Sequence, residues 1–296
     1  MGFRSVMCGT SLVGGSQSQS VSDQISSYSA INKMNPLVSY VFGFHAEYTS
    51  SPSLLDELSR ASHFYKAPVY SHNSETKEEV INCKKRHGGL TPTEYTDSFG
   101  LYDFGGGGFH CLYLNEDDIS IYKKHGLYIV SNPGSNSKLA SGIAPLCHYL
   151  DSGIPLALGT DGPGSNNGMN MFYEMRLSSV LQKLLLSDAS AFGGKEALHA
   201  ATVGSARAMG LMNVDVLDVG KKADIIMIDL SSPDLFPVND IEDDLVYSGS
   251  KRDILMTMIA GKILFNKGRF LLNEAKENIL KKAKTITLRL IKEANQ

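Results

Sequence analysis

The stretch Ile154-Pro-Leu-Ala-Leu-Gly-Thr-Asp-Gly162 decides the fold class. Its apolar first half predicts a short buried strand from Ile154 to Leu158, and its second half predicts a polar loop that carries Asp161. In folds built from parallel strands and helices, catalytic carboxylates lie at the carboxyl ends of the strands. An aspartate at such a place is costly to bury without a partner. We therefore predict an α/β fold in which Asp161 has a functional role.

Short apolar segments and amphipathic helices alternate along the chain upstream of this stretch. Such alternation predicts parallel strands that are joined by crossover helices. A closed (β/α)8 barrel needs eight strands, so the sequence predicts an incomplete (β/α)8 TIM-type barrel of about six β/α units. The six predicted strands are Arg4–Cys8, Leu37–Phe44, Ala67–Ser71, Phe109–Leu112, Leu127–Val130 and Ile154–Leu158.

The pattern changes after Gly210, where alternating apolar residues replace the β/α units. Gly261-Lys262 is typical of a hairpin turn between two strands. The segment from Asn273 to Ala294 predicts a basic amphipathic helix that closes the chain. We therefore expect two domains: a barrel portion over residues 1–212, and a partial small β-sandwich with a C-terminal helix over residues 213–296.

Composition narrows the class of partner. The net charge of the 296 residues is −3 at pH 7, which gives no reason to expect a nucleic acid or a membrane as partner. The four cysteines form no CxxC pair, so neither a zinc knuckle nor a disulfide framework is indicated. No apolar run reaches the ~20 residues of a transmembrane helix. We expect a cytoplasmic protein that acts on a small molecule.

His72 and Glu75 form the first candidate pair. His72 follows the third predicted strand, and Glu75 comes three residues later. A neutral imidazole binds divalent metals well, and a shielded carboxylate can move a proton near neutral pH. The alternative is an ordinary histidine at a strand end, with Glu75 as the cap of a helix from Thr76 to His87.

His110 lies in the fourth predicted strand, next to a run of four glycines at 105–108 that we expect to weaken it. The alternative for His110 is a hydrogen-bonded core residue. The polar loop Ser131-Asn-Pro-Gly-Ser-Asn136 is compatible with simple turn chemistry or with a place in the site. Three strand ends thus supply His72, His110 and Asp161 in an order that suits a hydrolytic metal site.

Taken in order, these motifs resemble the amidohydrolase superfamily, and in particular its deaminase and chlorohydrolase branch, which includes methylthioadenosine/S-adenosylhomocysteine deaminases. The resemblance runs from about the first residue to the last predicted strand. The segments that carry it are Phe42–Tyr48, Ser71–Val80, Phe109–Cys111, Ser131–Pro145, Leu158–Gly162, Ser165–Asn167, Met171–Leu177, Ala201–Leu211, Val219–Asp224 and Met258–Gly261.

The resemblance implies a metal-dependent hydrolase of C–N bonds that deaminates a purine- or pyrimidine-like heterocycle with metal-activated hydroxide. His72, His110 and Asp161 would hold one divalent metal, zinc or alternatively iron. Asp161 would also act as the base, and His110 would help to bind the attacking water. Glu75 would protonate a ring nitrogen of the substrate. His45, His72 and Glu75 would contact the substrate.

One expected motif is absent, because the chain contains no His-x-His pair. Relatives carry this pair on the first barrel strand, so we interpret the chain as truncated before its third barrel strand. Two alternatives follow. A complementing N-terminal chain completes the metal site, as one half of a split enzyme, or the chain is a catalytically silent relic. A homodimer is a further expectation about its assembly.

Overall fold

Six parallel strands form the main sheet in the computed structural model, which describes residues 5–9 and 20–294. The strands are hydrogen-bonded in chain order, each one parallel to the next. This is the strand order of part of a (β/α)8 barrel, so the incomplete barrel is confirmed. The strands are β1 Ser5–Cys8, β2 Val38–Gly43, β3 Val69–Asn73, β4 Gly106–His110, β5 Tyr128–Ser131 and β6 Leu156–Leu158.

Helices follow each strand and cover the outside of the sheet. A 3-10 turn at Glu47–Thr49 separates β2 from its helix, and a π-helical turn at Ala200–Gly204 separates the last two helices of the barrel portion. The helices are α1 Val21–Met34, α2 Pro52–Tyr65, α3 Lys77–Arg86, α4 Pro92–Asp97, α5 Glu116–His125, α6 Pro133–Lys138, α7 Leu146–Asp151, α8 Met171–Leu186, α9 Gly194–His199 and α10 Ser205–Ala208.

The starts of these helices follow from their capping residues. The Ser51 hydroxyl accepts a hydrogen bond from the Leu54 N–H, and Pro52 occupies the first helical position of α2. Thr76 and Asn115 cap α3 and α5 in the same way. Each cap satisfies a backbone N–H that the helix itself leaves free. The predicted N-terminus of α2 is therefore confirmed.

The apolar faces of strands and helices meet in two buried clusters. One lies between β2, β3 and α2, around Phe42, Leu55, Leu58 and Val69, which are all fully buried. The other lies beneath α5, α7 and α8 and includes most of the remaining core. Burial of these side chains fixes the strands in place, and the strands in turn fix the positions of the residues at their carboxyl ends.

Three of the four glycines, at 106–108, form the first part of β4, and β4 pairs along its whole length with β3. A Cβ atom at Gly106 would lie 1.9 Å from the Val69 carbonyl oxygen, and one at Gly107 would lie 2.3 Å from the Tyr128 carbonyl oxygen. Any side chain at these two places would therefore push the neighbouring strands away. The expected weakening of the strand is not visible in its pairing, because the glycines allow this close approach.

A second, antiparallel sheet follows the barrel portion, as expected. Its order is β10-β9-β8-β7, and the hairpin turn lies at Ala260-Gly261. The predicted turn at Gly261-Lys262 was wrong by one residue, because Lys262 already begins β9. In the described ranges no helix is long and apolar enough to cross a membrane. The elements are β7 Ile225–Ile228, α11 Ile241–Tyr247, β8 Ile254–Ile259, β9 Lys262–Asn266, β10 Arg269–Phe270 and α12 Lys276–Ala294.

The main sheet has two edges. Within residues 5–9 and 20–294, β1 pairs with β2 alone and β6 pairs with β5 alone. A cavity of about 220 Å³ lies against the inner face of the sheet and is lined by apolar side chains such as Val41, Tyr70, Phe109, Val130 and Leu158. In a closed barrel this space is filled by side chains from all eight strands.

Candidate active site

The carboxyl ends of β2, β3 and β4 bring three histidine rings together. His45 follows β2, His72 lies in β3 and His110 is the last residue of β4. The ring centroids of His45 and His72 are 4.9 Å apart, and those of His72 and His110 are 5.4 Å apart. The latter two rings are stacked, with an angle of 20° between their planes. Neighbouring parallel strands therefore place these side chains side by side.

Each of the three rings donates a hydrogen bond from its Nδ1 atom. His72 donates to the His45 carbonyl oxygen at 2.7 Å, and His110 donates to Asn136 Oδ1 at 2.7 Å. His45 donates to the Thr49 hydroxyl at 2.8 Å, since that hydroxyl gives its own proton to a backbone carbonyl. A neutral ring that carries its proton on Nδ1 has a free lone pair on Nε2. Such a lone pair can bind a metal or accept a substrate proton.

His110 is held as a neutral ring. Its side chain is only 2% exposed. This burial lowers the pKa of His110, and neighbouring His72 lowers it further, while Glu75 and Asn136 oppose the shift without reversing it. Its backbone has φ of 71°, in the left-handed region that residues other than glycine rarely adopt. Strained residues of this kind are concentrated at functional sites.

The Glu75 carboxylate faces His110. Its Oε2 atom lies 3.8 Å from His110 Nε2, and Oε1 accepts a hydrogen bond of 3.4 Å from Ser141. The cap of α3 is formed by Thr76 and Glu79 instead. Glu79 even accepts a hydrogen bond from the Glu75 backbone N–H. The alternative interpretation, in which Glu75 caps the helix, is therefore wrong.

Asp161 lies three residues beyond β6, with φ of 59°. Its Oδ2 atom accepts a hydrogen bond of 2.6 Å from Ser135, and Oδ1 accepts one from the Gly162 N–H. Burial favours the neutral acid, but the hydrogen bonds from Ser135 and Gly162 outweigh it, so the pKa of Asp161 lies below its ordinary value. The carboxylate is thus ionised at neutral pH and suited to a cation.

The donor atoms of His72, His110 and Asp161 do not all lie within 4.8 Å of one another. Zinc binds nitrogen and oxygen donors at about 2.0–2.2 Å, so all ligands of one ion lie within roughly twice that distance of each other. The donor types fit a divalent ion: two imidazoles, each with a free Nε2, and one carboxylate. To share an ion, at least one of the three side chains must rotate.

A different set, Glu47, Cys83 and His87, does bring three donor atoms within 4.8 Å in the described part of the chain. Glu47 is buried, and its carboxylate already accepts two hydrogen bonds from Arg86 and one of 2.7 Å from His87. Burial, together with the adjacent Glu47, raises the pKa of the Cys83 thiol. We conclude that this set is a structural clamp between the turn after β2 and the end of α3.

One buried carboxylate near the site is not among the residues that the sequence analysis singles out. Glu174 in α8 is fully buried and accepts hydrogen bonds from the Gly134 N–H at 2.8 Å and from Asn166 at 2.7 Å. Asn166 also donates to the Thr160 carbonyl oxygen at 2.6 Å. These bonds join the loop that carries Asp161 to the first turn of α6. An acidic residue within the first apolar turn of α8 was the only signal.

Comparison with known proteins shows what the chain is similar to. A family model described as the amidohydrolase family matches residues 1–264. The 5-methylthioadenosine/S-adenosylhomocysteine deaminase of Pelotomaculum thermopropionicum is 38% identical over 254 residues, which are 86% of this chain and 58% of the relative. The Pyrococcus furiosus protein of the same name is 38% identical over 84% of this chain and 59% of its own length. The chain thus spans less than two thirds of these relatives.

Two solved structures share the fold. An adenosine deaminase from Xanthomonas campestris with bound zinc has a TM-score of 0.91 and 29% identity, over 98% of this chain and 67% of that one. A guanine deaminase from C. acetobutylicum has a TM-score of 0.77 over 88% of this chain and 64% of its own. At 22% identity the second likeness concerns the fold alone.

Proposed function

Because the chain belongs to the amidohydrolase family, we propose that its strand-end site hydrolyses a C–N bond of an aminated, purine- or pyrimidine-like heterocycle. The stacked pair of His72 and His110 carries this proposal, since both rings direct their Nδ1 protons to protein acceptors and His110 Nε2 lies beside the Glu75 carboxylate. The names of the deaminase relatives support the class of substrate.

We propose that His72, His110 and Asp161 hold one divalent cation. The zinc in the Xanthomonas adenosine deaminase favours zinc over iron. The donor set suits it, because the carboxylate is ionised and the pKa of His110 is lowered, which keeps that ring neutral. When bound, such an ion supplies Lewis-acid chemistry that lowers the pKa of water toward ~7.

The remaining steps belong to the protein's own side chains. Asp161 accepts a proton from the attacking water, while Ser135 keeps the carboxylate oriented. The water oxygen forms a bond to the carbon that bears the amino group. Glu75 gives a proton to a ring nitrogen of the heterocycle, and Asp161 passes the proton it took from water to the amino group. The C–N bond then breaks with loss of ammonia, while the proton of the new hydroxyl returns to Glu75 as the carbonyl forms. His110 orients the water, while His72 and His45 contact the substrate.

A second candidate is a chain that is silent on its own, either as a relic or as one half of a split enzyme. The two edges of the sheet at β1 and β6 and the apolar cavity against its inner face favour this candidate. Three protein donors are also fewer than the four that hold zinc in closed structural sites. In the split form, a complementing chain with two parallel strands pairs with these edges and adds the missing ligands.

One experiment separates these functions. The purified full chain is mixed with one equivalent of Zn²⁺ and with aminated adenine, guanine and cytosine derivatives, and ammonia release is followed. Ammonia release that depends on zinc supports the hydrolase. Zinc binding without ammonia release supports the incomplete, split site. The absence of both zinc binding and ammonia release contradicts the proposed hydrolase and supports the interpretation of the chain as a relic.

A further inference from the structure

Helix α12 carries an apolar face that the rest of the described chain leaves open. At 3.6 residues per turn, Ile279, Ile286 and Leu290 lie along one line of the helix, and Leu280 and Ile291 lie beside it. No side chain of the helix is buried. The exposed fractions of Leu280, Ile286, Leu290 and Ile291 lie between 49% and 58%. Such a contiguous exposed apolar stripe marks an interaction surface.

The other side of α12 is basic. The helix contains six lysines and arginines against two glutamates, a net charge of +4, whereas the whole chain carries −3. In the part of the chain that the structure describes, the ion pairs of this helix are Lys282–Glu274 at 2.6 Å and Arg289–Glu293 at 3.6 Å. Lys276 is the first residue of the helix, and the five basic residues that follow it are Lys281, Lys282, Lys284, Arg289 and Lys292.

We propose that α12 binds to an anionic lipid surface, with its apolar stripe inserted among the acyl chains and its basic residues at the headgroups. An amphipathic helix with lysines opposite a broad aliphatic stripe has the composition of interfacial helices. The long stems of Lys282 and Lys284, which flank the stripe, reach back to the headgroup level. This inference does not depend on the proposed hydrolase.

Charge decides between lipid and a second copy of the chain. Two copies paired through the stripe would bring two helices of net charge +4 together, which costs electrostatic energy, whereas anionic headgroups attract the same charge. The expectation of no membrane partner came from the chain-wide net charge of −3. The net charge of the whole chain does not reveal that this one helix is basic.

The absence of tryptophan from the chain allows a direct test with the full-length protein. Ile286→Trp places a single fluorophore on the apolar stripe, and Leu288→Trp places one on the opposite side, two residues and about 200° away. With vesicles that mix phosphatidylglycerol and phosphatidylcholine, we expect a blue shift of emission for Ile286→Trp but not for Leu288→Trp. With pure phosphatidylcholine, we expect no shift for either variant.

Co-sedimentation of the full chain with the same vesicles gives the affinity. We expect Ile286→Glu to weaken binding by about tenfold or more, and the matched control Leu288→Glu to leave it unchanged. Added salt should weaken the binding of the unaltered chain. The proposal is overturned if the unaltered chain does not bind anionic vesicles at low salt. It is also overturned if Ile286→Glu instead dissociates a lipid-free dimer, because a second copy then covers the stripe.

Discussion

His110 Nδ1 and Asn136 Oδ1 are joined by a buried hydrogen bond of 2.7 Å, which ties the end of β4 to the helix that follows β5. Both side chains are only 2% exposed. Because an amide oxygen only accepts, this bond places the ring proton on Nδ1 and leaves Nε2 free. Asn136 thus determines which nitrogen of His110 faces the site.

Asn136→Ala should weaken zinc binding by roughly 10–100-fold, as is usual when the partner of a metal-binding histidine is removed. Zinc affinity is measured by competition with a chromogenic chelator. Asn132→Ala is the control, since Asn132 immediately precedes α6, which carries Asn136, but it donates a hydrogen bond of 3.4 Å to the Val130 carbonyl oxygen and bonds no histidine in the described part of the chain. Equal losses in the two variants would show that Asn136 has no specific effect on the ring.

Glu75→Gln should keep the zinc affinity of the unaltered chain but lower ammonia release by ~10²–10⁴-fold, because an amide cannot deliver the proton. The two quantities are measured on the same zinc-loaded preparation. Glu78→Gln, at an exposed position in the first turn of α3, is the matched control and should change neither. A Glu75→Gln variant with full turnover would remove this residue from the proton path.

Arg86→Met should lower the free energy of unfolding by about 2 kcal/mol, because it breaks an ion pair to a buried carboxylate. The substitution removes the guanidinium from buried Glu47 and leaves its carboxylate the hydrogen bond from His87. The expected cost is below the ~3–5 kcal/mol of a fully buried pair, because the Arg86 side chain is 42% exposed. Urea denaturation measures the change, and zinc content should stay constant.

The same substitution in an exposed ion pair provides the control for Arg86→Met. Arg60 pairs with Asp56 on α2, and both side chains are more than half exposed. Arg60→Met should therefore cost at most about 0.5 kcal/mol. If Arg86→Met costs no more than this, Glu47 is not held by a structural clamp.

Gly106→Ala should destabilise the protein by more than about 2 kcal/mol, since the new Cβ would meet the Val69 backbone in addition to the strain of φ at +126°. Gly105→Ala separates the two causes. Gly105 has φ of +79°, but nothing lies within 4 Å of its Cβ position, so only the conformational cost of ~1 kcal/mol remains. Thermal and urea unfolding of both variants check the difference. Equal stabilities of the two variants would contradict the close approach of β3 and β4 at Gly106.

Asp118 should make stability depend on pH. Burial raises the pKa of its carboxyl from the ordinary 3.8 to about 6, although hydrogen bonds from Thr91 and the Asn115 backbone oppose the shift. The folded protein therefore binds more protons than the unfolded chain between these values. The contribution of Asp118 is fully present below pH 3.8 and is lost as pH rises through about 6.

Asp118→Asn removes this titration. Any effect of the amide itself on the free energy of unfolding is the same at every pH. From pH 4 to pH 7 the stability of the variant relative to the unaltered chain should rise by up to about 3 kcal/mol. Urea denaturation at four or five pH values measures the difference. A difference that does not change with pH would contradict a raised pKa at this carboxyl.

The sequence predicts six strands because short apolar segments bounded by polar residues recur, and their length favours strands over helices. For the fourth strand it predicts Phe109–Leu112, whereas β4 spans Gly106–His110 because the glycines pair closely with the neighbouring strands. The sequence does not predict the left-handed backbone of His110 and Asp161. Residues with a side chain rarely adopt that conformation, and no sequence pattern around these two positions indicates it. These two φ values decide where both side chains point. The site was thus predictable as a set of strand ends, but not in its geometry.

Contacts between distant parts of the chain are likewise not predictable from the sequence. The bond between His110 and Asn136 spans 26 residues, and the pair of Glu47 and Arg86 spans 39. In the sequence, Asn136 belongs to a polar loop that is compatible with simple turn chemistry or with a place in the site. A single sequence gives the type of each residue, whereas such bonds depend on the tertiary fold that brings the loops together.

The central claim is that His72, His110 and Asp161 share one cation, and the most direct test is the zinc stoichiometry of the purified chain by equilibrium dialysis. We predict close to one zinc ion for each unaltered chain and for the control Asp151→Asn, which alters an exposed residue at the end of α7. We predict loss of bound zinc in both His72→Ala and Asp161→Asn. Unchanged stoichiometry in these two variants would contradict the claim.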